Sequence, residues 1–156
     1  MEANKEEAAV IKFKWQSLMD ENNANPCPNK HQRKSFISCA RFSHSPHDDK
    51  LNMLPNFEYF KHKSNKPPRK LSDDPHNNCA YCSLSFYTTY NQCCAVIESM
   101  TSVVWRKLEY THVCIGDIDE NDGCHSDIEG NGHFMLWEFE GVDLIKKFTN
   151  LHLVTK

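Results

Sequence analysis

CAYCSLSFYTTYNQCCAVIESMTSVVWRKL, residues 79–108, holds the two periodicities from which the fold is read. Leu84, Phe86, Thr88 and Tyr90 alternate, and side chains two apart in extended backbone share one face, so they mark a strand. Cys93, Ile97, Met100, Val104 and Leu108 then recur every three or four residues, the stripe of a helix. The spacing predicts one helix over 92–108. A strand that runs straight into a helix, with neither pattern repeated as a regular unit, points to an α+β fold.

Working outward toward the end of the chain, 112–118 and 132–139 each read as short strands, joined by the acidic stretch 117–131. Val142, Ile145 and Phe148 fit a short helix, and 151–154 an edge strand. Residues 75–156 are therefore expected to form a compact α+β domain. Working toward the start, Ala8, Ile11, Trp15 and Leu18 predict an amphipathic helix over 6–19 within an N-terminal unit, 1–25. An asparagine-rich run before Pro26 ends it.

Between these units, 26–74 reads as an irregular basic arm. All seven prolines of the 156-residue chain fall between positions 26 and 75, mixed with Asn, Ser and His. Such a segment needs something other than regular backbone pairing to hold it, and metal ligands are the expected pin. Phe57, Tyr59 and Phe60 are its apolar cluster and mark where it docks.

Eight cysteines and nine histidines supply the ligands. The start of the chain is acidic where a secretory leader would be basic, so a cytoplasmic or nuclear setting with reduced thiols is expected. Cys79 and Cys82, two residues apart, can turn toward one ion, and tetrahedral zinc needs two further ligands. Cys93 or Cys94, His76, and Cys114 or the Cys124-His125 pair are the candidates; Cys93 lies on the helical stripe, which favours Cys94. Cys79 to Phe86 has the spacing of the first half of a Cys2His2 finger, without the paired histidines that complete one. Cys27, His31, Cys39 and His44 form a second candidate group, in the arm. The expected architecture is thus a small domain stabilised by structural zinc.

Residues 117–123 begin like a calcium-binding loop, but the glycine falls at the seventh position, so a solvated acidic loop is the preferred reading. No nucleophile elbow, phosphate-binding loop, His-Glu-x2-His motif or deaminase signature occurs. His44, His47, Asp48 and Asp49 leave a small metal-dependent hydrolase as a remote alternative.

Charge is uneven. Residues 27–71 carry ten Lys/Arg against three Asp/Glu, whereas 117–143 carry nine Asp/Glu and no Lys/Arg. The basic stretch mixes cations with rings: Lys30, Arg33, Lys34 and Arg41 with Phe36 and Phe42, then Lys61, Lys63, Lys66, Arg69 and Lys70 with Tyr59 and Phe60. Single-stranded RNA or DNA is bound by such mixtures. The net charge of -3 and the acidic stretch weigh against it, so the preferred expectation is a non-enzymatic protein-interaction or adaptor module, with nucleic-acid binding the alternative. No apolar run is long enough to span a membrane.

Overall fold

The computed structural model describes residues 10–28, 30–62 and 69–156. It is a mixed α+β structure built on one six-stranded antiparallel sheet. In chain order the elements are α1 (Gln16–Glu21), β1 (Phe36–Ser43), α2 (Asn56–His62), α3 (Pro75–Tyr81), β2 (Leu84–Tyr87), α4 (Tyr90–Ser99), α5 (Ser102–Leu108), β3 (His112–Ile118), β4 (Gly123–His125), β5 (His133–Glu138), a 3-10 turn (Leu144–Lys146) and β6 (Asn150–Leu153). Across the sheet the order is β4-β5-β2-β1-β3-β6.

The strand β1 comes from the stretch expected to be irregular, and it lies inside the sheet between β2 and β3. The sheet therefore crosses the boundary drawn at residue 75. The strand was hidden because its alternation is interrupted. Its register against β3 shifts between Phe36 and Cys39, where Ser38 adopts a left-handed φ of 54° and donates its N–H to Asp117 Oδ1 at 2.8 Å. Beyond that bulge, Cys39 and Ala40 fall into different apolar clusters on alternate faces.

One face of the sheet is closed by α4 and α5. Cys93 and Ile97 of α4 and Trp105 of α5 pack against Ala40, Tyr87 and Val113. The helix expected over 92–108 is two helices, because Thr101 turns the chain and its side chain accepts the Val104 N–H as an N-cap. The break rotates the stripe, so Val104 is exposed and Trp105 is buried. On the other face Leu84, Phe86, Phe134 and Leu136 pack with Leu144 and Phe148 from around the 3-10 turn. Gly116 lies directly beneath that turn, and a Cβ there would fall on the Lys147 carbonyl.

A third cluster joins the N-terminal segment to the end of the sheet: Leu18, Met19 and Ala24 against Phe57, Cys79, Cys82 and Trp137. The helix expected over 6–19 is shorter and later, and its residues 6–9 lie outside the described structure. Phe13 instead bridges Phe139 in extended form, and Lys14 donates its N–H to the Glu138 carbonyl at 2.9 Å. Among the described residues no helix is long and apolar enough to cross a membrane.

Candidate functional site

The expected zinc ligands do not gather as the sequence reading grouped them. Cys27 and Cys79, assigned to two different groups, are joined in a disulfide with a Cα–Cα distance of 5.4 Å. Cys82 is buried in the same apolar cluster, and burial pushes its thiol up to about 12. Cys39 donates its thiol to the Gly116 carbonyl at 3.4 Å, and burial pushes its pKa up to about 12 as well. Cys114 is buried on β3, where burial raises its pKa against the opposing pull of Arg41. Cys94 sits half-buried on α4, and His31 is exposed. Among the described residues no three His, Cys, Asp or Glu side chains are grouped to hold an ion.

His44 has a different setting. Its Nε2 lies 3.0 Å from the Tyr59 hydroxyl, and its ring packs on Tyr110 at 4.9 Å between centroids. His47, Asp48 and Asp49 do not join it around an ion. The loop 44–52 is held by Asn52, whose side chain donates to the carbonyls of His44, Pro46 and His47 and accepts the His44 N–H. A single buried amide thus does the pinning expected of a metal in this part of the arm.

Asn52 also passes its order on to a cavity lined by Arg41. Its carbonyl accepts Arg41 Nε at 2.9 Å, while Arg41 Nη1 donates to the Ser85 carbonyl at 2.8 Å and Nη2 to that of Leu54 at 3.4 Å. Arg41 is only 7% exposed, and no carboxylate among the described residues pairs with it. Its guanidinium lies over the Phe86 ring at 5.6 Å, which offsets part of the cost of burying a charge but supplies no counter-charge.

The cavity encloses about 270 Å³. Arg41, Ser83, Tyr59 and Tyr87 are its buried lining residues, and exposed Ser85 lines it beside Arg41. A continuous run of rings makes the wall: Phe42 stacks on Tyr87 at 5.7 Å and meets Tyr110 at 5.8 Å, and Tyr110 meets Tyr59 at 5.7 Å. At the mouth stand half-buried Phe60 and exposed Arg69, the latter stacked over Tyr81 at 3.9 Å. Among the described residues no Asp or Glu lines it. Burial pushes the Tyr87 hydroxyl up to about 12, and burial with the adjacent Tyr110 pushes Tyr59 higher still. At neutral pH both stay protonated, so neither adds negative charge beside the arginine.

Arg41, Phe42, Tyr59, Phe60 and Arg69 all belong to the cation-and-ring mixture singled out in the sequence, and they meet at this cavity. Lys61 stands on α2 but is paired with Glu58 at 2.9 Å; Lys70 is exposed, Lys63 and Lys66 lie outside the described residues, and Lys30, Arg33, Lys34 and Phe36 of the same mixture do not line the cavity. The sequence reading missed Tyr87, Tyr110 and Asn52, which come from three separate segments and carry no local signal. The chain matches no protein-family model, no curated protein and no solved structure.

Proposed function

We propose that this protein is a non-enzymatic binding module that takes single-stranded nucleic acid at the Arg41–Arg69 cavity. One observation carries the reading: a buried guanidinium without a carboxylate partner and an exposed one flank a wall of aromatic rings. Cations for phosphate and faces for bases are the two requirements of single-strand recognition. The preference for a protein partner rested on repulsion between the acidic stretch and a phosphate backbone. That objection weakens because Asp119 and Asp122 are held by Lys147, at the Ile118 end of β3, away from the His112 end that leads to Tyr110.

The test is binding of a fluorescent single-stranded RNA or DNA oligonucleotide by the full chain, followed by anisotropy. Tyr110→Ala, which removes a half-buried ring of the wall, is expected to cost about 1 to 3 kcal/mol of affinity, the usual scale for one base stacked on one ring. Tyr90→Ala, a ring outside the cavity, serves as the control and is expected to leave affinity unchanged. Equal losses from both variants, or none from either, would reject the cavity as the site.

A further inference from the structure

Resting on that reading, we infer that the cavity receives the phosphorylated end of a strand: a terminal phosphate monoester reaches Arg41 while the attached base stacks on the ring wall. The first support is the donor inventory. Arg41 has five N–H groups, and three are engaged by the carbonyls of Asn52, Ser85 and Leu54, which leaves two for an incoming anion. Those three bonds fix the guanidinium plane, so the fork is already oriented before a ligand arrives.

The second support is size. The volume, about 270 Å³, sits below the roughly 300 to 1,000 Å³ of drug-sized clefts, which suits one nucleotide and not a run of several.

The third support is charge. A monoester carries more negative charge at neutral pH than a diester, close to two charges once its second proton is lost. Arg41 is a buried cation with no carboxylate among the described residues in ion-pair contact, Glu138 acting on it only at longer range, and Tyr87 and Tyr59 remain protonated around it. The extra charge of a strand end is therefore rewarded at the position where an internal linkage offers less.

The experiment compares full-chain binding to one short oligonucleotide sequence made with a 5′-hydroxyl, a 5′-phosphate or a 3′-phosphate, beside a peptide bearing a phosphotyrosine. One phosphorylated end is expected to bind about tenfold tighter than the hydroxyl form, the return on one charge-assisted bond. The 5′ and 3′ arms show which end is read. Arg41→Lys keeps the charge without the fork and is expected to erase the preference; Arg69→Ala at the mouth is expected to weaken all strands while preserving it. The wild-type comparison stands even if the Arg41 variant fails to fold. Equal affinity of all three strands would overturn the end-recognition inference and leave the nucleic-acid reading intact. No binding of any strand would overturn both, and tighter binding of the phosphopeptide than of any strand would overturn the strand end in favour of a protein ligand.

Discussion

Glu138 is buried on β5, 1% exposed, and its carboxylate accepts Trp15 Nε1 at 3.2 Å and Lys14 Nζ at 3.3 Å. Burial raises its pKa above the ordinary 4.5; Lys14 and Trp15 pull it back without cancelling the rise. The folded protein therefore holds this proton more tightly than the unfolded chain does. The resulting stabilisation is complete below 4.5 and is lost as pH rises through the folded value. Glu138→Gln keeps an acceptor for Trp15 and removes the titration, so the variant should gain on the parent as pH is raised. Denaturant melts at about pH 4 and about pH 7 check it, and a parent-to-variant difference independent of pH would refute the raised pKa. Asp122 illustrates the opposite surprise. It was expected in a solvated loop, yet it is 4% exposed, accepts the Asp119 N–H at 2.9 Å and pairs with Lys147 Nζ at 2.6 Å. Burial lowers the Lys147 pKa, but the bonds to Asp122 and Asp119 outweigh it and the net shift is upward. Asp122→Asn should destabilise by about 1 to 2 kcal/mol, beyond the roughly 0.5 kcal/mol of an exposed position, in a chemical melt at neutral pH.

At the scale of elements, the Cys27–Cys79 disulfide ties the N-terminal segment to α3 across 52 residues of sequence. A cross-link of that span removes about 4 kcal/mol of chain entropy from the unfolded state at 25 °C. Replacing both cysteines by Ala should lower stability by about 2 to 4 kcal/mol, measured against the oxidised parent; a loss below about 1 kcal/mol would show that the cluster around Trp137 holds the segment unaided. We retain structural zinc as a proposal for the reduced chain, where the thiols of Cys27 and Cys79 would join Cys82 in one cluster. Metal analysis of reduced protein should then find about one zinc per chain, lost in Cys82→Ser; reduced, folded protein without zinc would reject the proposal. The elements differ in how far the sequence disclosed them. The strand expected over 112–118 is β3, because Val113 and Ile115 alternate cleanly with Cys114 and Gly116. The strand β1 stayed hidden behind the bulge at Ser38, neighbouring prolines and an arginine at an inward position. The break before α5 did have a signal, since Thr101 precedes a new helical turn, but the apolar stripe ran across it. The cavity was legible as residue types and not as a place: only folding brings Arg41 of β1, Tyr59 of α2 and Tyr110 beyond α5 together.

At the scale of the whole molecule, the opposed charges of 27–71 and 117–143 are partly spent on one another. Lys30 pairs with Asp127 at 3.4 Å, and Arg33 donates to the Glu120 carbonyl and Asn121 Oδ1 while lying over Phe139 at 4.9 Å. The early cations therefore anchor the acidic stretch to the body of the protein. Arg69 and Lys70 stand apart from those carboxylates: Arg69 lies over Tyr81 at the cavity mouth, and Lys70 beside it in sequence is exposed. One basic segment thus divides into a structural half and a half available to phosphates, and charge reversal should separate the two. Lys30→Glu with Arg33→Glu should lower the melting temperature slightly, as loss of exposed ion pairs does, and leave oligonucleotide affinity and its salt dependence unchanged. Arg69→Glu with Lys70→Glu should do the reverse. Each single-strand phosphate contact contributes about 0.7 to the slope of log affinity against log salt, so losing two should flatten the slope by about 1.4 with little change in melting temperature. Parallel titrations of both double variants across a salt series provide the measurement. A slope altered equally by the two pairs would mean that the oligonucleotide senses only net charge, and the cavity would lose its claim to be where the strand is held.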